Sequence, residues 1–203
     1  MEQRFLRMHD IQTREDGSSS PQIEGYFAVF GDIYEVWPGA TESIAPGAFT
    51  DSISQDVRAL YNHNSDLVLG RSSAGTLQLK EDSHGLWGSI RINRDDSDAM
   101  NVYQRIKRGD ITGCSFGFDI EKESRDVHSD GTVHYTIEKV NPLYEISPCV
   151  FPAYDATKVS ARGKDIEQIR KRKLQAWRDQ MVERLKKKGA DDGTESTDAP
   201  EKD

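Results

Sequence analysis

The chain has 203 residues, of which 31% are charged and 35% hydrophobic, and its formal net charge at pH 7 is -8. Its mean hydropathy is -0.74. This composition is typical of a soluble protein with one core and some additional solvated sequence. No apolar run approaches the roughly 18–20 residues that cross a bilayer, and the first residues lack the apolar stretch of a secretory signal. We therefore expect a cytoplasmic protein without a membrane span.

Charge is distributed unevenly along the chain. Residues 1–161 contain 15 basic and 25 acidic residues, residues 162–188 contain 11 and 4, and residues 189–203 contain 1 and 6. The segment 163–189 also has apolar residues at mostly three- and four-residue spacings, which predicts a basic amphipathic helix. These residues are Ile166, Ile169, Leu174, Trp177, Met181 and Leu185. The last residues, 190–203, are small, polar and acidic and predict a disordered tail.

The first half of the chain predicts two strands and a helix. Residues 1–19 are interpreted as a flexible N-terminal segment, ahead of a domain that covers residues 20–162. Apolar and aromatic residues fill IEGYFAVF (23–30), which predicts a buried strand, and VRALYNH (57–63) predicts a shorter one. Between them, the proline of PGAFTDSI (46–53) suits the first position of a helix.

The second half predicts two hairpins around one helix. Hydrophobic residues alternate in GTLQLKED and LWGSIRI, which are joined through the turn SHG. The segment DDSDAMNVYQRIKRG predicts a helix, because acidic residues come first, basic residues come last and Gly109 can cap its end. A second hairpin is predicted to join GFDIEKE to TVHYTIEKV. LYEISPCVF (143–151) predicts a further strand, closed off by Pro152. We expect an α+β, mainly β domain built on a barrel or a strongly bent sheet.

The stretch GDITGCSFGF (109–118) contains two candidate nucleophiles, Cys114 and Ser115. Alternation along a strand would turn them to opposite faces, so one of them at most can face a given site. A thiolate is intrinsically the better nucleophile, but nothing nearby in the sequence would activate Cys114. Ser115 would need a base to accept its proton, and it could also be no more than the first residue of a strand.

His63 is the best candidate for such a base among the five histidines. It lies at the end of a predicted apolar strand and precedes polar residues, although a histidine in this place can also be structural. The others fall in the irregular N-terminal stretch, in hairpin turns, or at an alternating strand position: His9, His84, His128 and His134.

A third group is needed to orient the imidazole and to stabilise its charged form. Glu145 is a carboxylate among the apolar residues of a predicted strand, a place where a charge usually has a partner. Asp66, three residues after His63, is the alternative. Glu145 could instead lie on the solvent face of its strand.

Other chemistries receive little support from the sequence. It has no glycine-rich phosphate-binding loop and no cluster with the spacing of a metal site, and two cysteines are too few for a disulfide framework. We therefore predict no cofactor and no metal. The basic helix lacks a nucleic-acid recognition motif, and the acidic body would repel a phosphate backbone, so we expect neither nucleic acid nor membrane as a partner.

Taken in order, six blocks of the sequence resemble one known family. They are IEGYFAVFG, ESIAPGAFTDSI, VRALYNHNSDLVLGR, GTLQLKEDSHGL, IKRGDITGCSFGF and LYEISPCVFPAYDATKV. Together they span about residues 20–162 and resemble the prohead (procapsid maturation) protease family of tailed bacteriophages. That family is similar in fold to the herpesvirus capsid-assembly proteases, which implies a β-barrel-like core with surrounding helices.

The resemblance implies a serine endopeptidase in which Ser115 is the nucleophile and His63 the base. Glu145 follows the serine in chain order, as the orienting residue does in the herpesvirus enzymes, and this favours it over Asp66. The resemblance also implies a setting inside the assembling prohead in the host cytoplasm. There the enzyme would remove the scaffold region of the major capsid protein and cleave itself, and self-association of the chain is a further expected contact. The helix at 163–189 lies outside the matched blocks and would be a docking or removable extension.

Two other functions are compatible with the sequence. The first is a non-catalytic capsid-assembly or scaffold-associated protein of the same fold. The presence of both His63 and Ser115 argues against it, because a decayed site has no reason to keep the pair. The second is a cysteine hydrolase that acts through Cys114.

Overall fold

The structure is a computed structural model of this chain. It describes residues 2–7, 9–14 and 20–150 and six separate positions near the C-terminus. Within these residues it is mainly β, with eleven strands and one complete α-helix. The first strands are β1 (Glu2–Arg7), β2 (His9–Arg14), β3 (Gln22–Val29), β4 (Tyr34–Trp37), β5 (Ala40–Ile44) and β6 (Arg58–Tyr61). The later elements are β7 (Asn64–Arg71), β8 (Leu77–Glu81), β9 (Gly85–Arg91), α1 (Ser97–Arg108), β10 (Gly113–Val127) and β11 (Val133–Cys149).

The strands form two sheets. The larger has the order β1-β10-β11-β5-β4, and β6 adds to it by pairing with both β11 and β7. The smaller has the order β2-β3-β9-β8. One apolar core joins both sheets and the helix, with Phe27 from β3, Ile90 from β9, Tyr103 from α1, Phe116 from β10 and Ile146 from β11. The mainly β prediction is confirmed, but among the described strands neither sheet closes into a barrel.

The two sheets approach closely at a glycine. Gly88 of β9 is buried, and a Cβ atom at this position would lie 3.0 Å from Ile146 Cδ1 and 3.0 Å from Phe27 Cε2. Both distances are shorter than ordinary van der Waals contact, so a side chain at this position would displace Ile146 and Phe27 by a few tenths of an ångström. This contact fixes β11 against the smaller sheet from the side opposite the candidate site.

β10 and β11 form one long antiparallel hairpin, as predicted for the second hairpin. The sequence predicts that the second strand of this hairpin ends early and that a separate strand begins at residue 143. This prediction is wrong, because β11 runs on through Pro142. Phe118 pairs with Leu143 and Ile120 with Val140, so two residues of β11 oppose one residue of β10. Such a bulge accommodates a proline, which has no N–H to donate to the ladder.

The predicted helix between the hairpins is confirmed as α1. Asp96 caps its N-terminus by accepting hydrogen bonds from the backbone N–H groups of Asp98 and Ala99. Gly109 ends the helix in the left-handed conformation, with φ of 87°. Both ends of the helix are therefore determined by local sequence signals.

The helix predicted over residues 46–53 is wrong. The segment is a series of turns, in which Ala48 N donates to Ala45 O and Thr50 N donates to Gly47 O. Gly47 has φ of 88°, a left-handed conformation that a continuous right-handed helix does not contain. The proline is therefore part of a turn. The resemblance implies several helices around the core, and among the elements of the described residues α1 is the one complete helix.

Residues 1–19, which the sequence predicts to be a flexible segment, contain the two strands β1 and β2. β1 pairs with β10, with Phe5 opposite Ser115, and β2 pairs with β3. These strands form against partners that are distant in sequence, so the segment carries no strong signal of its own. The boundaries predicted for the domain stay predictions.

Part of the predicted C-terminal helix lies within the described residues. Six positions in 163–189 are helical and exposed: Lys171, Leu174, Gln175, Arg178, Asp179 and Val182. The rest of that segment and the predicted tail at 190–203 lie outside the described residues. In the part of the chain that the structure describes, no helix is long and apolar enough to span a membrane.

Candidate active site

His63 lies in the tight turn that connects β6 to β7. Tyr61 pairs with Asn64, so Asn62 and His63 are the two central residues of a two-residue hairpin loop. Their φ angles are 51° and 59°, the left-handed values of a type I′ turn. Glycine usually occupies the second of these positions, so the turn holds His63 in a conformation that costs roughly 1–2 kcal/mol for a residue with a side chain.

Hydrogen bonds to β11 hold this turn in place. Asn62 N donates to Pro148 O at 3.1 Å, and Val150 N donates to Asn62 Oδ1 at 3.0 Å. His63 N donates to Ser147 Oγ at 3.3 Å. The turn is therefore docked on the end of β11, and the imidazole lies over one face of that strand.

β11 presents three polar side chains on this face. Glu145, Ser147 and Cys149 alternate along the strand, while Ile146 between them belongs to the apolar core. All three are buried, with exposed fractions of 3%, 0% and 1%. The strand thus separates a polar layer under His63 from the core behind it.

The imidazole of His63 pairs directly with the carboxylate of Glu145. His63 Nδ1 lies 2.7 Å from Glu145 Oε1, and the side chains of the two residues are only 13% and 4% exposed. A carboxylate oxygen accepts hydrogen bonds, so Nδ1 carries the proton and the lone pair of the neutral ring is on Nε2. Glu145 Oε2 accepts a second hydrogen bond, from Ser147 Oγ at 2.5 Å.

Ser115 lies on the same face of the sheet as this pair. In the register of β10 and β11, Ser115 is opposite Ser147, and Gly117 is opposite Glu145. Directly opposite residues of antiparallel strands project to the same side, and diagonal neighbours are within reach of longer side chains. Ser115 is therefore a cross-strand neighbour of the polar layer, and it is fully buried there.

Cys114, the alternative nucleophile, faces the other way. Its Sγ lies 3.4 Å from Tyr26 O and 3.6 Å from Phe27 O, inside the apolar core. Burial raises the pKa of the Cys114 thiol well above its usual value, and the nearby Cys149 adds to this effect. The thiolate that a nucleophilic cysteine needs is thus disfavoured, and the strand lies between Cys114 and His63.

Asp66, the alternative orienting residue, is exposed and does not contact the imidazole of His63 through any described hydrogen bond. Its backbone N–H donates to Asn64 Oδ1 at 2.9 Å. The residue lines a cavity of about 160 Å³ between β7 and α1, together with Asp96 and Asp98. Of the two candidate carboxylates, the structure brings Glu145 to His63.

Cys149 is a neighbour of His63 that sequence reasoning missed. Its Sγ lies 3.9 Å from His63 Nε2, and burial raises its pKa to about 12, with a further contribution from the charge of Glu145. The thiol therefore stays protonated at neutral pH. Ser147 was missed as well, although the two-residue spacing from Glu145 through Ser147 to Cys149 is a signal that places all three on one face.

His134 shows what a structural histidine looks like in this fold. Its Nδ1 lies 2.8 Å from Thr41 Oγ1, and its Nε2 lies 2.9 Å from Ser43 Oγ, across the parallel pairing of β11 and β5. Both ring nitrogens contact hydroxyl groups, and these contacts include no carboxylate. His63 differs because a buried carboxylate binds its Nδ1.

The geometry provides the elements of acyl transfer by a serine. A carboxylate on Nδ1 orients the ring and stabilises its protonated form, which leaves Nε2 to accept a proton. The hydroxyl group of Ser115 lies on the adjacent strand. The groups are shielded from water, so electrostatic interactions among them are stronger than in solvent.

Comparisons with known proteins gave one family match and one structural match. A family model described as caudovirus prohead serine protease matches residues 9–172. Among solved structures, the capsid assembly protease of bacteriophage T4, gp21, is similar to this chain, with 13% sequence identity and a TM-score of 0.39. That match covers 75% of this chain and 100% of the T4 chain. The comparison with curated proteins gave no match.

Proposed function

Because the chain belongs to the caudovirus prohead serine protease family, we propose that it is a serine endopeptidase with Ser115 as nucleophile, His63 as general base and Glu145 as the orienting group. Family membership supports a protease role in capsid maturation. The observation that carries the residue assignment is the 2.7 Å contact between His63 Nδ1 and Glu145 Oε1, on the face of the sheet that holds Ser115.

In the proposed reaction, Ser115 Oγ attacks the carbonyl carbon of a peptide bond while His63 Nε2 takes the hydroxyl proton. The C–N bond then breaks, and Nε2 returns the proton to the leaving amine. Water hydrolyses the acyl-enzyme by the same route, with Nε2 taking a water proton and giving it to the departing Ser115 oxygen. Glu145 accepts the hydrogen bond from Nδ1 throughout and stabilises the imidazolium that forms twice per cycle.

The proposed substrate is the scaffold region of the major capsid protein, and the enzyme also cleaves itself. Both reactions take place inside the prohead in the host cytoplasm. Ser115 is fully buried, so attack on a peptide requires the site to open to its substrate. The barrel-like core of the herpesvirus enzymes, implied by the sequence resemblance, stays a prediction.

A non-catalytic assembly protein is the second candidate, and the geometry of the site counts against it. A structural histidine does not need a buried carboxylate at Nδ1 and a left-handed backbone, since both cost free energy. His63 has both features. Hydrolysis through Cys114 is disfavoured because that thiol lies in the core on the opposite face.

Coexpression with the major capsid protein of the same genome tests the proposal. We expect the capsid protein to lose a defined N- or C-terminal region, as measured by the intact masses of the products, and the chain itself to be shortened. A capsid protein that keeps its full mass beside the folded wild-type chain would contradict the proposed function.

Replacing Glu145 with glutamine is expected to lower kcat by about 10²- to 10⁴-fold without abolishing it, because an amide keeps the shape but cannot stabilise the imidazolium. The pH–rate profile should change as well. A matched control is Glu42→Gln, which alters a carboxylate that is also buried but hydrogen-bonded to Tyr34. An unchanged rate and pH profile in Glu145→Gln would move the assignment to Asp66.

The segment from about residue 163 is proposed as a docking extension that is removed during maturation. Its support is the charge reversal and the stripe of apolar residues, together with the exposure of Leu174 and Val182, which are 48% and 49% exposed. Deletion of residues 164–203 is expected to preserve cleavage of a peptide substrate and to reduce incorporation into proheads, measured by the protease content of purified particles. Normal incorporation of the truncated chain would contradict a docking role.

A further inference from the structure

Ser147 is the one buried hydroxyl that contacts both His63 and Glu145 through described hydrogen bonds. Its side chain has no exposed surface, and it lies on β11 between Glu145 and Cys149. In the register with β10 it is opposite Ser115. The hydroxyl therefore lies at the centre of the polar layer, although the proposed reaction assigns it no step.

The hydroxyl of Ser147 has one proton to donate, and the chemistry of its hydrogen-bond partners determines which of them receives it. Glu145 Oε2 lies 2.5 Å from Ser147 Oγ and can only accept, so the serine donates to it. A lone pair of the same oxygen accepts from His63 N at 3.3 Å. One hydroxyl thus links the carboxylate to the backbone of the histidine that this carboxylate orients.

These contacts fix the carboxylate of Glu145 at both oxygens. Oε1 faces His63 Nδ1 and Oε2 faces Ser147, so rotation of the carboxylate would break two hydrogen bonds at once. Without the hydroxyl, Oε2 would lose its donor in a buried environment, where an unsatisfied charged group costs considerably more than on the surface. The carboxylate would then turn toward another donor and weaken its hydrogen bond to the ring.

The second contact acts on the turn that carries His63. The left-handed backbone of His63 persists only if the surroundings stabilise it, and the hydrogen bond from His63 N to Ser147 is one such contact. Loss of the hydroxyl would therefore change the position of the ring as well as the direction of the carboxylate.

Ser147 is poorly placed to act as a nucleophile itself. Its proton is donated to Glu145, and its contact with His63 is to the backbone N–H. The ring nitrogen that accepts protons in the proposed reaction, Nε2, lies instead near Cys149 Sγ. A hydroxyl in this position can orient the catalytic pair, and its described hydrogen bonds go to Glu145 and to the backbone of His63 rather than to Nε2.

We propose that Ser147 is a positioning residue, whose hydroxyl sets the orientation of the Glu145 carboxylate and of His63 relative to each other. This inference rests on the proposed function, because it assigns a role within the same site. It extends that function by a residue that the sequence motifs did not identify.

Kinetics and proton NMR of Ser147→Ala test the inference. We expect kcat on a capsid-derived peptide to fall by about 10- to 100-fold, with KM within about twofold of the wild type, because misalignment of a base affects the chemical step. The hydrogen-bonded Nδ1 proton of His63 should move upfield. Ser147→Thr, which keeps a hydroxyl, should restore most of both properties.

Ser52→Ala provides the matched control, because Ser52 is also a fully buried serine, whose hydroxyl donates to Phe49 O away from the site. It should leave kcat and the Nδ1 resonance unchanged. If Ser147→Ala does not fold, Ser147→Cys keeps a similar shape with a larger and weaker donor, and its kcat should fall by about tenfold.

An unchanged kcat and an unchanged Nδ1 resonance in a folded variant would overturn the inference. The inference would also be overturned if Ser147→Thr lowered kcat as much as Ser147→Ala does. The resonance can be measured in a chain that cleaves nothing, so the two proposals can fail separately. Absence of proteolysis in the wild type would contradict the proposed function, whereas an Nδ1 resonance insensitive to Ser147 would contradict the positioning role.

Discussion

Ser115→Ala is expected to abolish proteolysis and to leave the fold intact. Alanine removes the oxygen that forms the acyl-enzyme, and loss of a nucleophile of this kind typically lowers kcat by about 10⁴- to 10⁶-fold. The change deletes one atom from a buried position on β10, so both sheets should form as before. Cleavage of the capsid protein is measured by product masses, and folding by the thermal unfolding transition.

Cys114→Ala is the neighbouring control. Its thiol lies in the core, so the variant should be somewhat less stable but should keep most of its activity. Full activity in folded Ser115→Ala protein would contradict the serine mechanism. If the folded Cys114→Ala protein were inactive and the Ser115→Ala protein active, the nucleophile would be assigned to Cys114 instead.

His63→Ala is expected to have an effect of similar size, because Ser115 is a poor nucleophile unless a base takes its proton. His134→Ala serves as the control, since that histidine contacts only hydroxyl groups through its described hydrogen bonds and lies on the distal part of β11. It should leave kcat nearly unchanged. Substantial activity in folded His63→Ala protein would remove His63 from the mechanism.

The backbone of His63 allows a second comparison at the same position. Both His63→Gly and His63→Ala lack the imidazole, but glycine adopts a φ of 59° without strain. His63→Gly should therefore be more stable than His63→Ala by about 1 kcal/mol in the free energy of unfolding, while both remain inactive. Equal stability would show that the turn does not strain this residue.

Elements with local sequence signals could be predicted. The hairpin of β8 and β9 follows from alternation around a short glycine-containing turn, and α1 follows from its capping residues. Both are determined by residues within the element itself. The family resemblance was also correct, because it rested on the order of six blocks rather than on one of them.

Elements that depend on distant partners could not be predicted. β1 and β2 form by pairing with β10 and β3, and their own sequence lacks a strong alternating pattern. β11 continues past Pro142 because a bulge opposite β10 makes room for it, which a single strand does not reveal. At 46–53 the proline signal was overridden by the left-handed conformation of Gly47.

The candidate site also has features that the sequence predicts and features that it does not. The sequence blocks and the family resemblance predict Ser115 and His63, and the sequence predicts Glu145 because a carboxylate in an apolar strand needs a partner. The structure places that carboxylate against His63, although the catalytic roles stay predictions. The positive φ of His63 was not foreseen, because the turn residues Asn62 and His63 lack the glycine that usually marks a type I′ turn.

Site-resolved labelling during capsid cleavage tests the nucleophile assignment most directly. A serine-directed fluorophosphonate would be added while the chain cleaves the capsid protein, when the site is open, and the modified residue located by tandem mass spectrometry. We predict that cleavage stops, that the adduct is on Ser115, and that His63→Ala protein is not labelled. An adduct on Cys114, Ser147 or Cys149 that stops cleavage, or cleavage that continues with Ser115 unmodified, would contradict the assignment.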